Sequence, residues 1–463
     1  MMNRNVQRRQ QQLGNRIRSR GAATKAVDFF NILTSDDLLK LTDELSPAHR
    51  ERLYPPTVTL SMFMRQTLEQ DASCQKAVNG WAAQRAADGL PGMSVRTGGY
   101  CRARQRLPLE MVKALACETA RQLHTKAQAS WRWRGRSVKL VDGTGISMPD
   151  TRSNQSCFPQ PSSQAPGVGF PLANLVAVIC LATGAVLQAA VGPYAGKGTG
   201  ELALFRDLQA TFCPDDVMLA DALYCNYWLI ATMLATGVDI VMAQHGSRHT
   251  DFRQGKSLGK RDHLVTWSKP AHRPAWMTRQ QYQAFPDQLT LRESKRQHRV
   301  VVTSLLDARS VSQQDLSQLY AKRWNVELDL RHVKTTMGMD VLDCQSPQMN
   351  IKQLWVALLA YNVIRLLMAQ AACHAGLDPR TLSFKHTVQL WTEWTARALP
   401  ATAHQNALFE LIAQSSVANR PGRLQPRMRK RRPKSYPWLK EPRSVARERV
   451  RKLGHDPRAR LSK

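Results

Sequence analysis

Between residues 137 and 243 the chain reads as three strands, a helix, a strand, a helix and a strand, and two of those strands lead into an aspartate. SVKLVDGTGISMP alternates β-branched and apolar residues, carries Asp142 at the end of its first run and turns at Gly143-Thr144-Gly145. LANLVAVICLATGAVLQAAVGP supplies two buried strands joined at Thr183-Gly184, and residues 201–212 supply a helix. DVMLAD, residues 216–221, again delivers a carboxylate, Asp221, at a strand tip; a helix over 227–235 and a strand over 238–243 follow. No other stretch limits the fold as much. It predicts an α/β chain in which two strands each deliver an aspartate at the tip. Either aspartate alone also suits an ordinary turn, where its side chain accepts from nearby backbone N–H groups.

A third carboxylate, Glu327, lies in YAKRWNVELDLRHVK, residues 320–334. On a helix at about 100° per residue, Tyr320, Arg323, Glu327 and Lys334 fall at about 0°, 300°, 340° and 320°, an arc of about 60°. Trp324 and Arg331 lie on or beside that face, so it is not the apolar stripe of a core helix. By itself the run equally suits a solvated helix with i,i+4 charge neighbours. Its spacing, Y-(2)-R-(3)-E-(6)-K, resembles the signature of DDE transposases of the insertion sequence 4 family. VDGTG, ADALYCNY and YAKRWNVE extend the likeness over residues 137–340.

The resemblance implies a ribonuclease-H-like mixed sheet with flanking helices, a β-rich insertion before the glutamate helix and an N-terminal helical domain. It implies that Asp142, Asp221 and Glu327 are catalytic and bind two Mg²⁺ ions, for which Mn²⁺ substitutes, Asp142 bridging both and the other two each holding one. Such hard cations need only one or two carboxylates each, and a pair about 3.5 to 4 Å apart clamps the attacking and leaving oxygens of a phosphodiester displacement. The implied activity is cut-and-paste: cleavage at insertion-sequence ends frees a 3′-hydroxyl, which then attacks target DNA. The implied partners are terminal inverted repeats and target DNA, with a homodimer in the synaptic complex. Tyr320, Arg323 and Lys334 would then contact DNA beside the scissile bond.

Charge points the same way. A formal net charge of +31 on 463 residues predicts a polyanionic partner, and 43% hydrophobic residues provide a sizeable core. That excludes a disordered chain, and basic ribosomal or histone-like proteins are usually far shorter. The nine cysteines are scattered without a CxxC pair, which indicates neither a disulfide framework nor a zinc site but the reduced thiols of a cytosolic protein, and the resemblance implies a cytoplasmic, nucleoid-associated bacterial one. The basic N-terminus lacks the apolar core of a secretory signal. The apolar stretch 354–373 contains Asn362, Arg365 and Gln370, as a packed core helix does and a membrane span does not.

The predicted organisation is a basic arm at 1–20, a helical DNA-end-binding domain at 21–130 and a first part of the catalytic core at 131–244. A β-rich insertion at 245–310, a second core part with closing helices at 311–400 and a basic tail at 401–463 complete it. In the helical domain, SVRTGGYCRARQRLP gathers Arg96, Arg102, Arg104 and Arg106 beside Tyr100 around a Gly-Gly pair. A basic turn entering a helix suits DNA binding by Arg102, Arg104 and Arg106, and equally a basic surface loop. The Arg- and Lys-rich run after Arg420 has too little to bury to fold alone.

Three further signals carry less. GPYAGKGTG has the wrong spacing for a phosphate loop and Gly198 where Ser or Thr would hold magnesium. His245, His249, His263 and His272 lack ligand spacing. Trp267, Trp276 and Tyr282 stand among cations, as base-stacking aromatics do and as buried residues of a small β unit also do. Two rival functions share the main features: a catalytically inactive, transposase-derived DNA-binding protein, and a structure-specific nuclease of the same fold.

Overall fold

The computed structural model describes residues 40–41, 44–45, 53–196, 198–296, 298–396, 405–417 and 438–454. The basic arm and the Arg- and Lys-rich run 420–437 lie outside them. Past helical residues at 40–41 and 44–45, four helices follow among the described residues: α1 (Pro56–Leu68), α2 (Cys74–Ala87), α3 (Gly98–Arg106) and α4 (Leu109–Thr125). Helix α1 starts at Pro56, because proline's fixed φ suits the first helical position. The Ser73 hydroxyl accepts from the Lys76 amide and caps α2.

The central sheet follows. Strand β1 (Val138–Ser147) leads to helix α5 (Arg152–Cys157), then β2 (Leu172–Cys180) and β3 (Val186–Pro193). Helix α6 (Glu201–Arg206) precedes β4 (Val217–Ala220), α7 (Tyr227–Ala235) and β5 (Asp239–Ala243). The helix expected over 201–212 breaks after Arg206 into a short 3₁₀ turn at Gln209–Thr211. β1, β2 and β3 pair antiparallel, whereas β4 joins β1 and β5 joins β4 in parallel.

Four more strands, β6 (Lys256–Gly259), β7 (Asp262–Ser268), β8 (Gln288–Arg296) and β9 (Arg299–Thr303), come from the 245–310 stretch, with helix α8 (Arg279–Ala284) between β7 and β8. They extend the same sheet, since β9 runs antiparallel beside β5 with Met242 opposite Val302. The nine strands lie in the order β3-β2-β1-β4-β5-β9-β8-β7-β6. Arg292, fully buried, forks onto Asp262 at 2.8 and 2.5 Å and ties β8 to β7.

The expected single helix over 320–334 is divided. Helix α9 (Gln313–Ala321) ends just after Tyr320, helix α10 (Trp324–Arg331) begins after Arg323, and a π-helical turn covers His332–Thr336. Helix α11 (Pro347–Ala375) then runs through the core from an N-terminal proline to Gly376, whose φ of 63° closes it. It is long and apolar enough to cross a membrane, but 94% of its most apolar window is inside the protein. Asn362 on α11 shows how it is fastened: its amide donates to Ala116 O and Val186 O, both at 3.0 Å, and accepts from Val186 N at 2.8 Å. Helices α12 (Phe384–Ala396) and α13 (Gln405–Ala413) pack on it. Helix α14 (Arg443–Leu453) lies in the basic tail; it buries none of its side chains, and Lys452 reaches Glu448 one turn back.

Candidate active site

Asp142 and Asp221 meet because β1 and β4 are neighbours in parallel. Val138, Lys139 and Leu140 pair with Val217, Met218 and Leu219, and that register carried two residues further sets Asp142 opposite Asp221. β4 stops at Ala220, while β1 continues through Gly143, Thr144 and Gly145 to Ser147 against β2. The turn expected at those glycines is therefore strand, because β2 offers a partner along its full length. Asp142 emerges where the parallel pair ends. Its Oδ1 accepts from Gly143 N at 2.9 Å, and Asp221 Oδ1 accepts from Leu223 N at 2.8 Å. Burial pushes the Asp142 carboxyl up to about 6, and the nearby Asp221 and Glu201 charges add to the rise while Gly143 N and Arg323 oppose it.

Glu327 arrives from the other side on the first turn of α10. Arg323 joins it to Asp142: Nη1 stands 3.5 Å from Asp142 Oδ2, and Nη2 donates to Glu327 Oε1. Both partners of this guanidinium are carboxylates implied as metal ligands. Among the described residues, no three His, Cys, Asp or Glu side chains yet converge in a way that would hold a cation. The donor set nevertheless suits a hard divalent ion: all oxygens, with the Asp142 and Glu201 carboxyls raised by burial and by mutual repulsion with Asp221.

What fixes α10 is a buried ion cluster that the sequence reading missed. Asp329, two residues after Glu327, is buried; Arg380 reaches its two oxygens at 2.7 and 2.8 Å, and Arg365 on α11 also donates to it. Burial alone would raise the Asp329 carboxyl, but the two guanidinia outweigh it and hold it below the usual range. Arg380 also donates to Leu181 O at 2.8 Å, at the β2–β3 turn. Helix α10 is thus tied to the sheet and to α11 together.

A family model for the transposase DDE domain matches residues 133–363, a span that holds Asp142, Asp221, Glu327 and the strands and helices that carry them. The chain belongs to the DDE transposase family. It is 27% identical over 412 residues to Transposase InsG for insertion sequence element IS4 of Escherichia coli (strain K12), covering 86% of this chain and 90% of that protein. Among solved structures it is similar to a piggyBac transposase synaptic complex with hairpin DNA, at 11% identity and a TM-score of 0.42, over 86% of each chain. A likeness of that degree carries no argument. The family and the relative make this a DNA-cleaving transposase enzyme.

The other expected residues of this transposase divide by environment. Tyr320 is buried, with the Arg299 guanidinium 5.4 Å from its ring centre, and Lys334, on the π-helical turn, pairs with Asp340 at 2.9 Å. A π turn in a helix is often found at functional sites. Arg102 and Arg106 are exposed, whereas Arg104 is buried at 6% exposure, 3.8 Å over the Phe63 ring and donating to the sulfurs of Cys74 and Cys344. Arg104 therefore faces the core and not a DNA surface: successive arginines on a helix point in different directions, and this one found an apolar niche. Trp267 is also a core residue, its indole donating to Glu293 at 2.9 Å, while Trp276 is exposed beside Arg206. His263 is buried against Glu293. Glu201 is the other residue missed; it starts α6 as a plain helix-forming acid and nothing local marks it.

Proposed function

We propose that this transposase cleaves DNA at the ends of its insertion sequence and joins the freed 3′ end to target DNA, its 3′-hydroxyl attacking a target phosphodiester and displacing that strand's 3′-oxygen, on a ribonuclease-H-like core with Asp142, Asp221 and Glu327 as its acidic residues. The carrying observation is the parallel register that sets Asp142 against Asp221, with Arg323 reaching Asp142 and Glu327 from the facing helix. The strand order β3-β2-β1-β4-β5, antiparallel then parallel, supports the fold reading.

Asp142, Asp221 and Glu327 would hold divalent cations. Bound Mg²⁺ or Mn²⁺ supplies activation of the attacking oxygen and stabilisation of the leaving one. The protein's own part is positional. Asp329 and its two arginines keep the Glu327 helix in place, and a guanidinium at Arg323 is free to exchange its carboxylates for a DNA phosphate once cations neutralise them. Lys334 and the exposed Arg102 and Arg106 supply further positive charge that suits the terminal repeats and target DNA. We further propose action as a homodimer, the arrangement that would hold two element ends in one complex, and the domain division described from sequence.

The test is cleavage and joining of end DNA by Asp142→Asn, Asp221→Asn and Glu327→Gln. Each substitution abolishes both steps while end binding persists, because removing a carboxylate leaves the basic surface intact. Near-wild-type cleavage by any one of them removes that residue from the assignment, and cutting without joining by the wild type favours the nuclease reading.

A further inference from the structure

We infer that Glu201 is a fourth carboxylate of the catalytic site and helps hold the divalent cation proposed for Asp142 and Asp221, an inference that rests on the cation reading above. Glu201 opens α6, which reaches the sheet between β3 and β4 in chain order. Its carboxylate lies against the backbone of Gly143, the residue after Asp142: a Cβ built on Gly143 would stand 2.6 and 2.7 Å from Glu201 Oε1 and Oε2. Gly143 is in regular strand, outside the left-handed region, so its backbone does not demand glycine. What the missing Cβ provides is room for the Glu201 carboxylate beside Asp142.

The surroundings of Glu201 do not explain it as a structural residue. Its hydrogen-bond partner among the described residues is the buried Tyr224 hydroxyl, at a long 3.5 Å from Oε2, and no Lys, Arg or His pairs with it. Tyr224 itself follows Asp221 by three residues, so the loop that delivers one carboxylate also orients the other. Arg323, the cation of this site, is engaged by Asp142 and Glu327. A half-buried carboxylate held beside two others without a counter-charge is a donor for a hard cation. The geometry makes Glu201 a ligand, direct or through a bound water, on the β3 side of the Asp142–Asp221 pair.

Manganese binding to the full-length, DNA-free protein, followed by the electron paramagnetic resonance of free Mn²⁺, tests this without relying on activity. Glu201→Gln weakens Mn²⁺ binding by about tenfold or more. Gly143→Ala does the same by pushing the carboxylate aside while keeping every charge. Both variants bind end DNA in chelator as the wild type does, and metal-free Glu201→Gln melts no lower than wild type, which excludes misfolding. If both variants bind Mn²⁺ like wild type while Asp142→Asn has lost it, Glu201 is a helix-starting residue only and the inference fails. If Asp142→Asn also binds Mn²⁺ normally, the cation reading of the whole site falls with it.

Discussion

Arg323 stands between two acids, Nη1 at 3.5 Å from Asp142 Oδ2 and Nη2 donating to Glu327 Oε1. A guanidinium so placed competes with any cation those acids bind. In the DNA-free protein Arg323→Ala therefore tightens Mn²⁺ binding several-fold, and on pre-cleaved end DNA it lowers the slope of log affinity against log salt by about one. Unchanged Mn²⁺ affinity together with an unchanged slope would reduce Arg323 to an ion-pair partner within its own helix.

The Asp142 carboxyl, raised by burial from 3.8 to about 6, sets a pH signature. A raised acid binds its proton more tightly in the folded state, so it destabilises the metal-free protein progressively as pH climbs from about 4 through 6, by about 3 kcal/mol in all. Asp142→Asn removes this cost. Metal-free Asp142→Asn should melt above wild type at about pH 7, roughly one unit above the shifted carboxyl, and the gap should close near the acid end of that range. A constant gap across the range would show that the carboxyl is not raised.

Asp329 is the keystone of a buried ion cluster with Arg365 and Arg380. Asp329→Ala leaves two guanidinia without their partner and costs about 3 to 5 kcal/mol, read as a fall in Tm. Asp329→Asn, which keeps some hydrogen bonds, loses less. Equal stability of all three proteins in denaturant titrations would contradict the placement.

The basic helix α3 separates packing from DNA contact. Arg104→Ala lowers stability because it empties the niche over Phe63 and Cys74, yet leaves the salt slope for end DNA unchanged. Arg102→Ala and Arg106→Ala behave in reverse, each reducing the slope by about one with little effect on Tm. A drop in slope from Arg104→Ala alone would mean that α3 turns its other face to DNA.

Local pattern carried much of this protein. The strands around Val138, Leu175, Val217 and Ile240 were legible because alternation and β-branching report a pleated, half-buried surface within a few residues. The 227–235 helix and the apolar helix through Asn362 were legible for the same kind of reason, since their period is written in the chain itself. Asp142, Asp221 and Glu327 were singled out by where they stand in those elements and by the family signature.

Tertiary structure decided what each side chain meets. Residues 320–334 suited one continuous helix with one polar face, but docking Tyr320 into the core and Asp329 onto Arg365 and Arg380 divides it at Lys322 and Arg323. Burial of Arg104 and the approach of Glu201 to Gly143 depend on Phe63, Cys344 and strand β1, partners far away in the chain. Periodicity fixes the direction of a side chain relative to its own element. The charge, counter-charge or cavity waiting there is set by long-range packing, which no local repeat records.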